Sequence, residues 1–122
     1  MRNIRTLDIW KQRIQLVINV YKLSEQLPNE EEYGLKSQIC RAAVSVPYNM
    51  QREACRPGEI EYRRYLEIAL GSAFELETQL MIIQKLHMIS DVQIENLRTS
   101  LETEQKMINS LISKIKQTAN SK

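Results

Sequence analysis

Apolar residues recur along the chain at spacings of three and four, the repeat of an α-helix, in four stretches separated by polar or turn-forming residues. In the first stretch, Leu7, Trp10, Ile14, Val17 and Tyr21 form one stripe, and Ile9, Leu16, Val20, Leu23 and Leu27 form a second beside it. A face that wide suits a helix packed against two or more neighbours. Thr6 is the N-cap candidate, and Leu27-Pro28-Asn29 closes the stretch because the residue before a proline disfavours helix. The spacing predicts a helix over residues 6–27.

A second helix is expected from the acidic run Glu30-Glu31-Glu32, which suits the positive end of a helix, to residue 55. Leu35, Ile39, Ala42, Val46 and Met50 face inward, while Gln38, Arg41, Ser45, Asn49, Arg52 and Arg56 form an opposite, polar stripe. Pro47 leaves the Ala43 carbonyl without its usual donor. The helix therefore either kinks there or breaks in two, with Ser45 capping the new start.

After the turn Pro57-Gly58-Glu59, a third helix is predicted over 58–88. Its seam reads Leu66, Ala69, Ala73, Leu76, Leu80, Ile83 and His87, the 3-4 alternation of a left-handed bundle. The small residues Ala69, Gly71, Ser72 and Ala73 invite close approach of a neighbouring helix. Leu70, Phe74 and Met81 add a second stripe, so burial from two directions is expected. Ser90 and Asp91 cap a fourth helix over 91–117, whose seam is Ile94, Leu97, Leu101, Ile108, Leu111 and Ile115, with Glu104 at one seam position; residues 118–122 form a polar tail. Four helices joined by short turns predict one all-α domain spanning 1–122, an up-down-up-down antiparallel four-helix bundle.

Composition agrees with that picture. The 122 residues suffice for one core, and three Gly and three Pro are too few for the turns of a sheet protein. No apolar run approaches the ~18 residues of a membrane span, and the basic start Met1-Arg2-Asn3-Ile4-Arg5 leads into an amphipathic stretch rather than a secretory signal. Cys40 and Cys55 fall on the same predicted helix, about 22 Å apart, too far for a disulfide. Both are expected to be free thiols in a reducing cytoplasm. The net charge of +2 is too balanced to announce a nucleic-acid binder, although residues 1–28 carry five basic and two acidic groups and residues 57–88 three basic and five acidic.

The strip Tyr33-Gly34-Leu35 followed by Gln38-Ile39-Cys40-Arg41-Ala42-Ala43-Val44-Ser45-Val46-Pro47-Tyr48-Asn49 resembles a signature of one bacterial family. Tyr65-Leu66-Glu67-Ile68-Ala69-Leu70-Gly71-Ser72 and Glu75-Leu76-Glu77-Thr78-Gln79-Leu80 resemble its second motif, and Trp10, Tyr21 and Leu27-Pro28 fall where that family has them. Its members are four-helix-bundle proteins encoded in intervening sequences of 23S ribosomal RNA genes, distantly similar to the accessory variability protein of diversity-generating retroelements. The resemblance covers roughly residues 7–90. It implies a homopentamer around a central channel, and a role in binding RNA, DNA or a nucleic-acid enzyme. After Asn49 the family usually reads Ile-Ala-Glu-Gly, one further residue, then often Gly-Arg. Here Arg52 replaces the glutamate and Glu53 the glycine, with Arg56 retained, which predicts a longer second helix.

The residue inventory argues against an enzyme. His87 is the one histidine, read as a core or rim residue of the third-helix seam, and Gln84 stands where a diiron bundle would need glutamate. Neither metal, cofactor nor small-molecule substrate is expected. Two groups remain. Arg52, Arg56, Arg63 and Arg64 either contact phosphates bidentately or pair locally with Glu53, Glu59 and Glu61; Tyr48, Tyr62 and Tyr65 nearby could stack on bases. The stripe Gln38, Arg41, Ser45, Asn49 either lines a subunit contact or is structural, with Arg41 paired to Glu75 or Glu77 and Ser45 and Asn49 satisfying the backbone near Pro47. The expected product is a non-catalytic, self-associating bundle with a nucleic-acid accessory role, or a scaffold that contacts only protein.

Overall fold

The computed structural model describes residues 4–52 and 58–120. Four helices account for most of them: α1 (Ile4–Ser24), α2 (Leu35–Gln51), α3 (Glu59–Lys85) and α4 (Asp91–Asn120), with a short 3-10 turn at Asn29–Glu31 and no strand among the described residues. α1 packs on α2 and α4, and α3 packs on α2 and α4, while the diagonal pairs stay apart. That is the neighbour pattern of a four-helix bundle with short connections. None of the described helices is long and apolar enough to cross a membrane.

The core is built from the predicted seams. On α3, Leu66, Ala69, Ala73, Leu76, Leu80 and Ile83 are fully buried, and Ile94, Leu97, Leu101 and Ile108 meet them from α4. Ile39, Ala42, Val46 and Met50 contribute the α2 face. The two stripes of α1 part company. Leu16, Val20 and Leu23, with Leu27 just beyond the helix, are buried, whereas Ile14 and Tyr21 of the other stripe remain exposed. Burying a side chain of this size contributes about 1.5–3 kcal/mol, so the inner stripe holds α1, with Val17 of the outer stripe packed at the edge of the core.

Helix ends depart from expectation for local reasons. α1 already runs from Ile4, two residues before the Thr6 cap, and stops at Ser24, whose hydroxyl donates to the Tyr21 carbonyl at 2.7 Å. The acidic run does not open α2. Glu31 closes the 3-10 turn, and its carboxylate accepts the Leu35 N–H at 3.2 Å, capping the helix from outside. α2 passes through Pro47 unbroken and ends at Gln51, short of the predicted residue 55. Asn49 bridges the proline turn: its amide donates to the Ser45 carbonyl at 2.8 Å and to Ser45 Oγ at 3.0 Å. The strip from Glu53 to Pro57, with Cys55 and Arg56, lies outside the described residues. Helix α4 continues to Asn120, into the expected polar tail.

His87 is a clear correction. It is exposed rather than on the seam, because α3 ends at Lys85. Its φ of 56° places it in the left-handed region, with His87 N–H donating to the Gln84 carbonyl and Met88 N–H to the Ile83 carbonyl. Those two bonds define a Schellman cap, where glycine is preferred because it has no Cβ to crowd the backbone. His87→Gly is accordingly expected to raise stability by about 1 kcal/mol, measured by urea unfolding; a loss would show that the imidazole makes a contact that outweighs the strain.

The seam position held by Glu104 also has a structural account. The carboxylate is buried and lies 2.9 Å from Arg13 Nε of α1, while Arg13 Nη2 reaches Met107 Sδ at 3.0 Å. Burial pushes the Glu104 carboxyl above its ordinary value of 4.5, and the charge and hydrogen bond of Arg13 offset only part of that rise. This pair joins the first helix to the last.

Candidate functional site

Three of the arginines singled out, Arg52, Arg63 and Arg64, fall among the described residues, and Arg52 packs against two aromatic rings. It leaves the C-terminal end of α2 with its guanidinium 4.4 Å from the ring centroid of Tyr65 on α3 and 5.6 Å from that of Tyr48, one turn back on its own helix. Arg52 Nη1 also donates to the Tyr48 hydroxyl at 3.3 Å. A guanidinium held against aromatic rings is fixed in position while keeping further N–H donors for bidentate contacts. Arg63 and Arg64 immediately precede Tyr65 in the first turns of α3. Arg63 is tied to Glu67 at 3.2 Å, an acid one turn on and outside the expected set of pairs. Arg64 is exposed. The structure thus brings Arg52 against the helix that carries Arg63 and Arg64. Of the three tyrosines, Tyr62 packs instead against the core.

The polar stripe divides. Ser45 Oγ shares a 2.7 Å hydrogen bond with Ser72 Oγ of α3, and Asn49 is buried and donates to Ser45. These residues are structural: they satisfy one another at the α2–α3 contact and permit the close approach that the small residues near Ser72 suggested. The step from Ser45–Ser72 to Arg52–Tyr65 is seven residues on both helices, two turns of an antiparallel seam. Gln38 and Arg41 are exposed. The expected pairing of Arg41 with Glu75 or Glu77 is not made. Glu77 lies 3.8 Å from Arg98 and accepts from Gln105 of α4, and among the described residues Arg41 Nη2 donates to Ser37 Oγ at 3.4 Å. The register explains this, because α3 presents Glu77 to α4 rather than to α2.

Arg41 instead edges an open groove of ≈ 880 Å³ along the outward side of α2, lined by Tyr21, Tyr33, Lys36, Cys40, Val44 and Tyr48 among others. Sequence reasoning missed it. The signal was available in Val44, an apolar residue off the predicted core stripes, whereas Tyr21 belongs to a predicted stripe of the first helix. Cys40, a free thiol, donates to Ser24 Oγ at 3.4 Å at its inner wall. No group of three or more His, Cys, Asp or Glu is placed to hold a metal ion among the described residues.

Among solved structures, one similar chain is a protein of unknown function from the S23 ribosomal protein family of Bacteroides thetaiotaomicron. It superposes with a TM-score of 0.79 over 86% of this chain and 95% of that one, at 22% identity, which shows a shared fold. No curated protein matches the sequence. A match to the model of the 23S rRNA-intervening sequence proteins extends over residues 5–110, from the first turn of α1 through most of α4. With most of the bundle and both motif strips inside that span, the chain belongs to the 23S rRNA-intervening sequence protein family.

Proposed function

We propose that this protein is a non-catalytic bundle that works in the cytoplasm as a ring of copies, five as its resemblance implies, and engages RNA or DNA phosphates through the Arg52 end of the subunit. The observation that carries the reading is the Arg52–Tyr65–Tyr48 stack. It holds a guanidinium in place before any ligand arrives, so that little side-chain entropy is lost when a phosphate binds. Arg64, exposed on α3, extends the basic group, and repetition around a ring multiplies individually weak contacts. The non-catalytic part rests on inventory: the one histidine caps a helix at the surface.

Titration of labelled structured RNA and single-stranded DNA tests it. Affinity should fall by about 10³-fold or more between ~50 and ~200 mM salt if several subunits contribute phosphate contacts. Arg52→Glu with Arg64→Glu should abolish binding without changing helicity or assembled mass. Absence of binding at ~50 mM salt would sink the reading. A second reading, an adaptor that contacts only protein, draws on the exposed apolar residues Ile68, Phe74 and Met81 of α3 and Ile14 and Ile18 of α1. It is favoured if assembly persists with no nucleic acid bound.

A further inference from the structure

We infer that the outward face of α3 on one copy seats in the α2 groove of the next, with Arg41 ion-paired across the contact to Glu75. This rests on the self-assembling reading above and specifies which two surfaces meet.

The groove offers apolar walls from Tyr21, Cys40, Val44 and Tyr48, with Lys36 and Arg41 at its rim. On α3, Ile68, Phe74 and Ile82 point outward, each close to half exposed, an expensive arrangement for a helix facing only water. Gly71 lies among them. A Cβ built there would meet nothing within 4 Å, so no contact inside the subunit calls for glycine. Glycine in a helix interior is disfavoured, and its common use is to let another backbone come close. Flanked by Ile68 and Phe74, Gly71 leaves a notch on the outward surface into which a neighbouring helix fits.

Charge selects the occupant. At the groove rim Lys36 is tied to Glu32, and on α3 Glu67 is tied to Arg63. Arg41 and Glu75 are left exposed with no ion pair among the described residues. An unpaired cation at the groove and an unpaired acid on the outward face of α3, each next to apolar residues, complement each other in a second copy of this chain. Because the two surfaces differ, the contact is head-to-tail and propagates until the subunits close a ring.

Light scattering at micromolar concentration, with circular dichroism as a check of folding, reads the outcome for Arg41→Glu, Glu75→Arg, the two combined, and Gly71→Gln. Each single charge reversal should weaken association by about tenfold or more and lower the assembled mass, and the combined variant should restore it. Gly71→Gln fills the notch at a position open to solvent within the subunit, so it should keep or raise helicity while lowering the mass. If wild-type mass persists in the single variants, or the combined variant fails to recover, this contact is wrong although assembly stands. A wild-type protein that is itself monomeric removes the assembly reading along with it.

Discussion

Arg13→Ala is expected to destabilise the folded chain by about 3–5 kcal/mol at neutral pH, the cost of leaving a buried carboxylate without its partner. Glu104 is 4% exposed, and the Arg13 side chain beside it is almost as enclosed. Replacing both, as Arg13→Met with Glu104→Leu, should be neutral or stabilising by up to about 1–4 kcal/mol, because the desolvation cost disappears together with the attraction. Urea unfolding at fixed protein concentration measures both. A cost below about 1 kcal/mol for Arg13→Ala would mean that the pair behaves as a solvated surface bridge.

The same site gives a pH dependence of definite sign. The Glu104 carboxyl is raised in the folded state by burial, against the opposing pull of Arg13, so between its ordinary value of 4.5 and its folded value the native chain holds more of this proton than the unfolded chain does. Its contribution to stability is therefore fully present below 4.5 and is lost as pH rises through the folded value. Relative to Glu104→Gln, whose amide does not titrate, the wild type should gain stability as pH is lowered towards 4.5. The opposite slope would show that the attraction of Arg13 outweighs burial.

The second large effect lies on the α3 seam. Leu76 is 0% exposed, and Leu76→Ala should cost about 2–5 kcal/mol, lost transfer energy plus the cavity left by incomplete collapse. A melting-temperature drop on the order of 2–8 °C per kcal/mol follows for a domain of this size. Val92→Ala, at a position 71% exposed near the start of α4, should stay within about 0.5 kcal/mol. Equal costs at the two positions would mean that the seam does not carry the core.

The α3 seam was legible in sequence because each residue from Leu66 to Ile83 satisfies one periodicity and nothing competes with it. Its end was not: whether His87 continues a stripe or caps the helix depends on a backbone sign that side-chain spacing does not encode. Glu104 stood out as a polar interruption, yet its partner lies 91 residues away, and only the packing of α1 on α4 brings them together. The two apolar stripes of α1 were equally greasy, and the choice of Leu16 and Val20 over Ile14 and Tyr21 for the core was made by the neighbouring helices. At the candidate site, Arg52 and Tyr65 could be named but not joined. Their stacking follows from the antiparallel register of α2 and α3, as does the Ser45–Ser72 bond two turns away. The misplaced Arg41 pair has the same origin, since one step around α3 decides whether an acid faces α2 or α4.

Ile14, Ile18 and Tyr21 of α1, Val44 and Tyr48 of α2, and Ile68, Phe74 and Met81 of α3 lie exposed on the outside of one subunit, and the proposed function depends on other copies covering them. Multi-angle light scattering on the wild-type chain at micromolar concentration addresses this directly. A mass near five times the 14.3 kDa of one chain is the predicted result; a stable particle of 14.3 kDa would contradict it.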